Sequence, residues 1–191
     1  MAERSDKNLP VTIKTDRLVI RPLNPTDKKA LWKLVKNPKV AESAGFIPAT
    51  SALELDDVLS EMIRTNVLTV VSKVTGELIG CVGLYERMKA SGEPDVTSRE
   101  VGYMLAESQW GQGYMTEAVE AVCAYAFKSL KLESLYASCF KGNDGSIRVL
   151  EKNHFVYQDA YRHSPIDLFQ PGKIEFFYQL TIERWKQVNH F

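Results

Sequence analysis

The sequence has few cysteines and no long hydrophobic run. Cys81, Cys123 and Cys139 are odd in number, far apart and embedded in apolar stretches, a pattern typical of buried free thiols in a reducing compartment. The longest window without a charged residue, residues 43–53, falls well short of the roughly 20 apolar residues that a spanning helix needs. We therefore expect a cytoplasmic chain that does not cross a membrane.

The charge balance shows no excess of either sign. The 24 basic residues equal the 24 acidic ones, and no basic run is present, so nucleic acid is excluded as the main partner. The first ten residues are polar and lack the apolar core of a secretory signal. With 191 residues and no repeat or linker, we predict a loose leader over 1–11, one domain over 12–186 and a short tail over 187–191.

Apolar spacing predicts interleaved strands and helices in the order βααβββαβαββ. Residues 37–51 are predicted to form a long loop, and residues 86–97 are predicted to form a polar loop. The predicted strands are 18–23, 67–72, 78–85, 98–105, 135–140, 155–160 and 174–182, and the predicted helices are 26–36, 52–64, 116–130 and 146–153.

The most informative stretch is EVGYMLAESQWGQGYMTE, residues 100–117. It predicts a strand, a turn with Gly111 and Gly113, and a strong helix. The two glycines can adopt backbone angles closed to other residues, so successive N–H groups can point into one concavity at the helix start. A phosphate or pyrophosphate is the natural occupant of such a site. The alternative is a tight strand-to-helix turn without a ligand.

The sequence does not fit other common kinds of nucleotide, metal or hydrolytic site. Thr116 stands where a dinucleotide fingerprint needs its third glycine, and the Gly-Lys-Ser/Thr of a P-loop is absent. His154, His163 and His190 show no metal-ligand spacing, so we expect no metal. No Gly-x-Ser-x-Gly elbow is present to hold a hydrolytic nucleophile.

The segment WGQGYMTEA, residues 110–118, resembles the pyrophosphate loop of the GNAT acyl-CoA transferases. The branch that it resembles most is that of the RimJ/RimL-like N-terminal acetyltransferases of ribosomal proteins. Other segments agree in order and spacing, so that the resemblance covers about residues 12–186. They are TDRLVIRPL (15–23), GELIGCVGL (76–84), REVGYML (99–105), NDGSIRVLEKNHF (143–155) and YQLTIERW (178–185).

The resemblance implies an α+β (mixed α/β) GNAT fold, a twisted and mostly antiparallel mixed sheet flanked by helices. Two central strands splay apart in that fold to admit acetyl-CoA. The backbone of Tyr103, Met104 and Leu105 would pair with the pantetheine amides, Asn143 would reach the pantetheine from the far side, and Ser146 would face the thioester sulfur. The pyrophosphate loop would comprise Gln109, Trp110, Gly111, Gln112, Gly113, Tyr114, Met115 and Thr116.

Each candidate catalytic residue has two interpretations. Glu100 could take a proton from the attacking ammonium, or it could be a solvated strand charge. Ser146 could protonate the departing thiolate, or it could belong to a helix cap. Asn143 could contact the cofactor, or it could be a helix cap. Leu150 stands where other GNAT branches carry a general-acid Tyr.

We thus expect an acetyl-CoA-dependent N-acetyltransferase that works by direct attack in a ternary complex, with Glu100 as base and a backbone N–H near Met104 holding the oxyanion. The resemblance to the RimJ/RimL-like branch implies a peptide N-terminal amine as the acceptor. The loop 37–51 agrees, because it carries Phe46, Ile47 and Pro48 but one acidic residue, Glu42. A small-molecule amine, a catalytically silent acyl-CoA-binding module and a plain interaction domain remain alternatives. The oligomeric state stays open, with a homodimer possible.

Overall fold

The computed structural model describes residues 11–167 and 170–190, so the predicted leader lies outside the described residues except for Val11. These residues form one eight-stranded sheet with six helices. The strands are β1 (Ile13–Lys14), β2 (Leu18–Pro22), β3 (Leu68–Ser72), β4 (Leu78–Met88), β5 (Pro94–Leu105), β6 (Ser134–Phe140), β7 (Val156–Arg162) and β8 (Ile174–Thr181). The helices are α1 (Lys28–Val35), α2 (Pro38–Ala44), α3 (Ala52–Arg64), α4 (Tyr114–Lys128), α5 (Asp144–Lys152) and α6 (Ile182–Val188).

The sheet order is β1-β2-β3-β4-β5-β6-β8-β7. Neighbouring strands pair antiparallel except β5 and β6, which run parallel over three positions, from Ser98 with Ser134 to Glu100 with Tyr136. Beyond that point β5 continues to Leu105 and β6 to Phe140 on diverging courses. The predicted α+β fold with a mixed, mostly antiparallel and splayed sheet is confirmed.

Both faces of the sheet are covered by helices. Cys81 and Val82 are consecutive on β4 and therefore point to opposite faces. Val82 belongs to the core beneath α4, where Val119 and Val122 are at most 1% exposed, and each such burial stabilises the fold by about 2 kcal/mol. Cys81 belongs to the core beneath α1 and α3. All three cysteines are buried and unpaired, as predicted.

Helix α2 lies inside the segment 37–51, so the prediction of a loop there is wrong for residues 38–44. The Asn37 side chain accepts hydrogen bonds from the amides of Lys39 and Val40, Pro38 occupies the first turn, and Gly45 ends the helix with a φ of 77°. An Asn-Pro pair that ends α1 thus also begins α2, since Asn is a favoured N-cap and Pro a favoured first residue.

The hairpin between β4 and β5 is longer than predicted. Both strands extend into the segment 86–97, which was predicted as a loop, and Met88 pairs with Pro94. The Lys89 amide donates to the Glu93 carbonyl across the turn (2.8 Å). The prediction of a long loop is wrong because these extensions carry mostly exposed polar side chains and lack the apolar alternation that marks a buried strand.

Candidate active site

A cleft opens where β5 and β6 diverge, and it encloses a cavity of about 880 Å³. Helices α2, α4 and α5 contribute to its walls. Gln109 and Gln112 of the predicted loop lie outside the lining, and so does Glu100. The predicted residues that line the cavity are Tyr103, Met104, Leu105, Trp110, Gly111, Gly113, Tyr114, Met115, Thr116, Asn143 and Ser146.

The glycine turn has the conformation that its sequence predicts. Gly111 and Gly113 have φ angles of 74° and 79°, a region that favours glycine. Gly113 is the N-cap of α4 and offers no side chain to the helix start, so the first amides of this 15-residue helix point out of its end. Tyr114 and Thr116 of that first turn line the cavity. The turn therefore presents the positive end of a helix dipole to the cleft.

The charged side chains around the cavity are mainly basic. Five cationic residues face two carboxylates. This excess suits a polyanionic ligand in the cleft. The cationic residues are Lys39, Lys141, Arg148, Lys152 and Lys173, and the acidic ones are Glu42 and Asp144.

The end of β5 exposes backbone groups to the cleft. The Ala106 amide donates to the Ile79 carbonyl on the β4 side (2.8 Å), and backbone groups alternate along a strand. The Met104 amide therefore points toward β4, whereas the amides of Tyr103 and Leu105 point toward the opening. The Trp110 indole donates to the Leu105 carbonyl (2.8 Å) and fixes the loop against the strand end.

Asn143 is a helix cap in this structure. Its Oδ1 accepts from the Ser146 amide (3.1 Å). Its Nδ2 donates to the carbonyl (2.8 Å) and the hydroxyl (3.1 Å) of Ser43, which joins the start of α5 to α2. Both Asn143 and Ser146 line the cavity. The helix cap and the predicted cofactor contacts therefore lie in the same wall of the cleft.

Glu100 lies at the last paired position of β5 and β6, at the apex of the cleft. Burial raises the pKa of its carboxyl, and the charge of Glu175 adds to this rise. Arg87, whose guanidinium lies 3.5 Å from the centre of the Tyr136 ring, opposes the rise, as does a long hydrogen bond of 3.5 Å from Ser138 Oγ. The pKa of this carboxyl is thus raised above its ordinary value, which suits a general base.

The structure adds features that the sequence did not indicate. The Tyr103 hydroxyl donates to the Ser146 carbonyl (3.2 Å), and Arg17 contacts the glycine turn from behind, at Gln112. Apolar periodicity carries no signal for either contact. Within residues 11–167 and 170–190, no three His, Cys, Asp or Glu side chains cluster as a metal site would require. No helix in that part of the chain is long and apolar enough to cross a membrane.

Residues 17–156 match the model of the acetyltransferase (GNAT) domain family. An uncharacterized N-acetyltransferase, p20 of Bacillus licheniformis, is 28% identical over 158 residues, which cover 79% of this chain and 85% of the relative. The span 17–156 that matches the family includes the splayed strands, the glycine turn and the start of α5.

Solved structures of this fold superpose over nearly the whole chain. Spermidine N-acetyltransferase from Vibrio cholerae, in complex with CoA and spermine, has a TM-score of 0.74 at 19% identity and covers 90% of this chain and 99% of its own. The ribosomal-protein α-N-acetyltransferase RimL, in complex with coenzyme A, has a TM-score of 0.75 at 20% identity and covers 91% and 99%. The chain belongs to the GNAT acetyltransferase family and is an N-acetyltransferase.

Proposed function

We propose that the protein binds acetyl-CoA in the cleft between β5 and β6 and transfers the acetyl group to the N-terminal α-amine of a protein or peptide. The observation that carries this proposal is the divergence of the two strands after Glu100, directly beside the glycine-capped start of α4. One opening thereby offers both an unpaired strand end and an anion-attracting helix terminus.

Different residues of the cleft contact different parts of the cofactor. Backbone amides of residues 111–116 hold the pyrophosphate, aided by the basic lining of the cavity. Backbone groups of Tyr103 and Leu105 pair with the pantetheine amides along the open edge of β5. Asn143 and Ser146 form the opposite wall. Two solved structures of the same fold are complexes with CoA, which supports CoA as the ligand of this cleft.

Glu100 acts as the general base. An α-amino group with a pKa of about 7.7–8.0 is mostly protonated at neutral pH and must lose a proton before it can attack. Glu100 takes that proton directly or through water, because burial raises the pKa of its carboxyl toward the working range.

The attack forms the new C–N bond, and collapse of the tetrahedral oxyanion breaks the C–S bond. A backbone N–H next to Met104 stabilises the oxyanion. Because the Met104 amide points toward β4, we propose the amide of Tyr103 or Leu105 for this role. Ser146, or water, returns a proton to the thiolate of CoA. The acetyl group moves directly to the amine, with no covalent enzyme intermediate.

A second hollow of about 510 Å³ adjoins α2 and supports a peptide acceptor. Phe46, Ile47 and Pro48 line it together with one carboxylate, Glu42, and one ammonium, Lys173. A polyamine carries several positive charges and calls for a dense acidic lining. This nearly neutral, apolar wall instead suits the first side chains of a peptide, and RimL, an α-N-acetyltransferase of a ribosomal protein, has the same fold.

A polyamine is the second candidate acceptor. The charge of Glu175 on β8 acts on Glu100, and two such carboxylates could attract a multiply charged amine. A relative of the same fold acts on spermidine.

Acetylation rates on a panel of acceptors test the proposal. The panel presents short peptides with Ser, Ala or Thr at the N-terminus beside spermidine and an aminoglycoside. We expect the highest kcat/KM for a peptide. A value about tenfold higher for a polycation, which is about 1.4 kcal/mol in transition-state binding, overturns the peptide assignment. Binding of CoA without turnover of any amine would instead identify a silent acyl-CoA-binding module.

A further inference from the structure

A polar clamp joins the start of the sheet to the first turn of α4. The Glu117 carboxylate accepts three hydrogen bonds, from Thr15 Oγ1 (2.5 Å), the Arg17 amide (2.9 Å) and Arg17 Nε (2.6 Å). Thr15 is itself held by the Leu18 amide, which donates to its hydroxyl (3.0 Å). The turn that leads into β2 therefore holds one helix carboxylate with two residues.

Arg17 also contacts the glycine turn. Its Nη1 donates to the Gln112 carbonyl (3.0 Å), and its guanidinium lies 4.5 Å from the centre of the Tyr114 ring. A Cβ placed on Gly113 would lie 3.5 Å from Arg17 Nη2. Arg17 is not among the residues that line the cavity, whereas Gly113 and Tyr114 are. The guanidinium thus supports the turn from the side that faces away from the cleft.

The clamp also lowers the pKa of Glu117 and compensates its negative charge. Burial acts to raise the pKa of Glu117, but hydrogen bonds from Thr15 and Arg17 outweigh it and hold that pKa below its usual range. Glu117 is therefore ionised at neutral pH, one turn into the helix whose N-terminus would hold the pyrophosphate. An ionised carboxylate there would repel phosphate unless a neighbouring cation compensated it, and Arg17 is that cation.

We propose that Arg17 is a positioning residue for the phosphate-binding turn. It fixes the Gln112 carbonyl so that the neighbouring amides point into the cleft, and it neutralises Glu117 behind them. This inference rests on the proposed function and deepens it, because it assigns a side chain outside the cavity to the recognition of the diphosphate part of the cofactor.

The test compares two acetyl donors in the wild type and in Arg17→Gln. S-Acetylpantetheine carries the thioester but no phosphate, so its kcat/KM should not depend on the turn. The preference of the wild type for acetyl-CoA over S-acetylpantetheine should fall about tenfold or more in Arg17→Gln, because charge-assisted hydrogen bonds are lost. The kcat/KM for S-acetylpantetheine should stay within about twofold, as expected for a residue that acts on the phosphates alone.

Arg21→Gln is the matched control. Arg21 lies on β2, the strand that directly follows Arg17, and forms an ion pair with Asp27 (2.7 Å), so its loss perturbs folding without touching the glycine turn. Arg21→Gln should keep the wild-type preference. A preference that falls equally in the two variants would contradict the inference, because a general loss of stability would then explain both.

A double variant separates the two parts of the clamp. Arg17→Gln combined with Glu117→Gln should recover part of the preference, because the uncompensated charge has gone. No recovery would overturn the charge-compensation role. If Arg17→Gln prefers acetyl-CoA over S-acetylpantetheine as strongly as the wild type does, the inference is overturned and the proposed function is not. A wild type that does not distinguish the two donors would overturn the proposed function, and the inference with it.

Discussion

The hydroxyl of Tyr103 on β5 donates a hydrogen bond of 3.2 Å to the Ser146 carbonyl on α5. These two elements form opposite walls of the cleft, so the bond bridges the opening where the sheet is not continuous. Burial raises the pKa of Tyr103 well above its usual range, which keeps the hydroxyl protonated and able to donate throughout the neutral pH range.

Tyr103→Phe should lower the free energy of unfolding by about 1 kcal/mol, because one buried hydrogen bond is lost while the ring is kept. The Ser146 carbonyl would then lack this donor. Denaturant unfolding at neutral pH measures the change. Tyr125→Phe on α4 is the control, and an equal loss in that variant would show that the bridge contributes nothing specific.

Glu100→Gln should reduce the rate of acetyl transfer about 100-fold while leaving CoA affinity nearly unchanged, since a general base contributes at least that factor. The loss should shrink as the pH rises, because the amine then deprotonates unaided. Rates measured across the pH range decide this. A defect of constant size at every pH would indicate that Glu100 positions the acceptor instead.

The same variant should change how stability depends on pH. Burial raises the pKa of Glu100, so the folded state binds the proton more tightly than the unfolded state, and stability falls as the pH rises from the ordinary glutamate range through the raised value. Glu100→Gln lacks this decline and should be at least as stable as the wild type at neutral pH. Melting temperatures should show no such gain for Glu86→Gln, which replaces an exposed carboxyl on β4.

Glu175→Gln should shift the acid limb of the pH–rate profile to lower pH. The charge of Glu175 contributes to the raised pKa of Glu100, and its removal lets Glu100 ionise at lower pH. Glu151→Gln on α5 is the control and should leave the limb in place. An unshifted limb in Glu175→Gln would show that the limb does not report Glu100.

Glu175→Gln should also weaken the protein most at acidic pH. The hydrogen bond from His163 Nε2 to Glu175 (3.0 Å) is the main cause of the raised pKa of His163, with Asp167 contributing. A raised histidine pKa stabilises the fold fully below the unfolded value, and this contribution is lost as the pH rises through the folded value. Titration of His163 by NMR should show a lower pKa in the variant, and an unchanged value would contradict the assignment of the cause.

The apolar periodicity was sufficient to predict the core of the fold. Val119 and Val122 on α4 pack in the core between that helix and the sheet, as their spacing indicates. Helix α6 was not predicted, and the strand predicted there extends to Ile182, whereas β8 ends at Thr181. In the structure the Thr181 side chain caps the helix by accepting from the Arg184 amide, a local hydrogen bond that a pattern of apolar residues does not encode.

The site was predictable where backbone chemistry decides it and hidden where distant residues meet. Gly111 and Gly113 indicate a positive-φ turn from residue type alone. The clamp of Arg17 on Glu117 joins positions 100 residues apart, so no local spacing marks it. The bond from Asn143 to Ser43 likewise joins positions 100 residues apart, and it depends on helix α2, where the sequence predicts a loop.

Calorimetric titration of CoA tests the central claim most directly, with wild type, Gly113→Val and Gly92→Val. Gly92 has a φ of 82° in an open surface turn, so its substitution causes the same kind of backbone strain as Gly113→Val, away from the cleft. We expect one site in the wild type and in Gly92→Val, and none in a folded Gly113→Val, because the strained turn no longer presents its amides to the phosphates. Normal CoA binding by a folded Gly113→Val, or none by the wild type, would contradict the account.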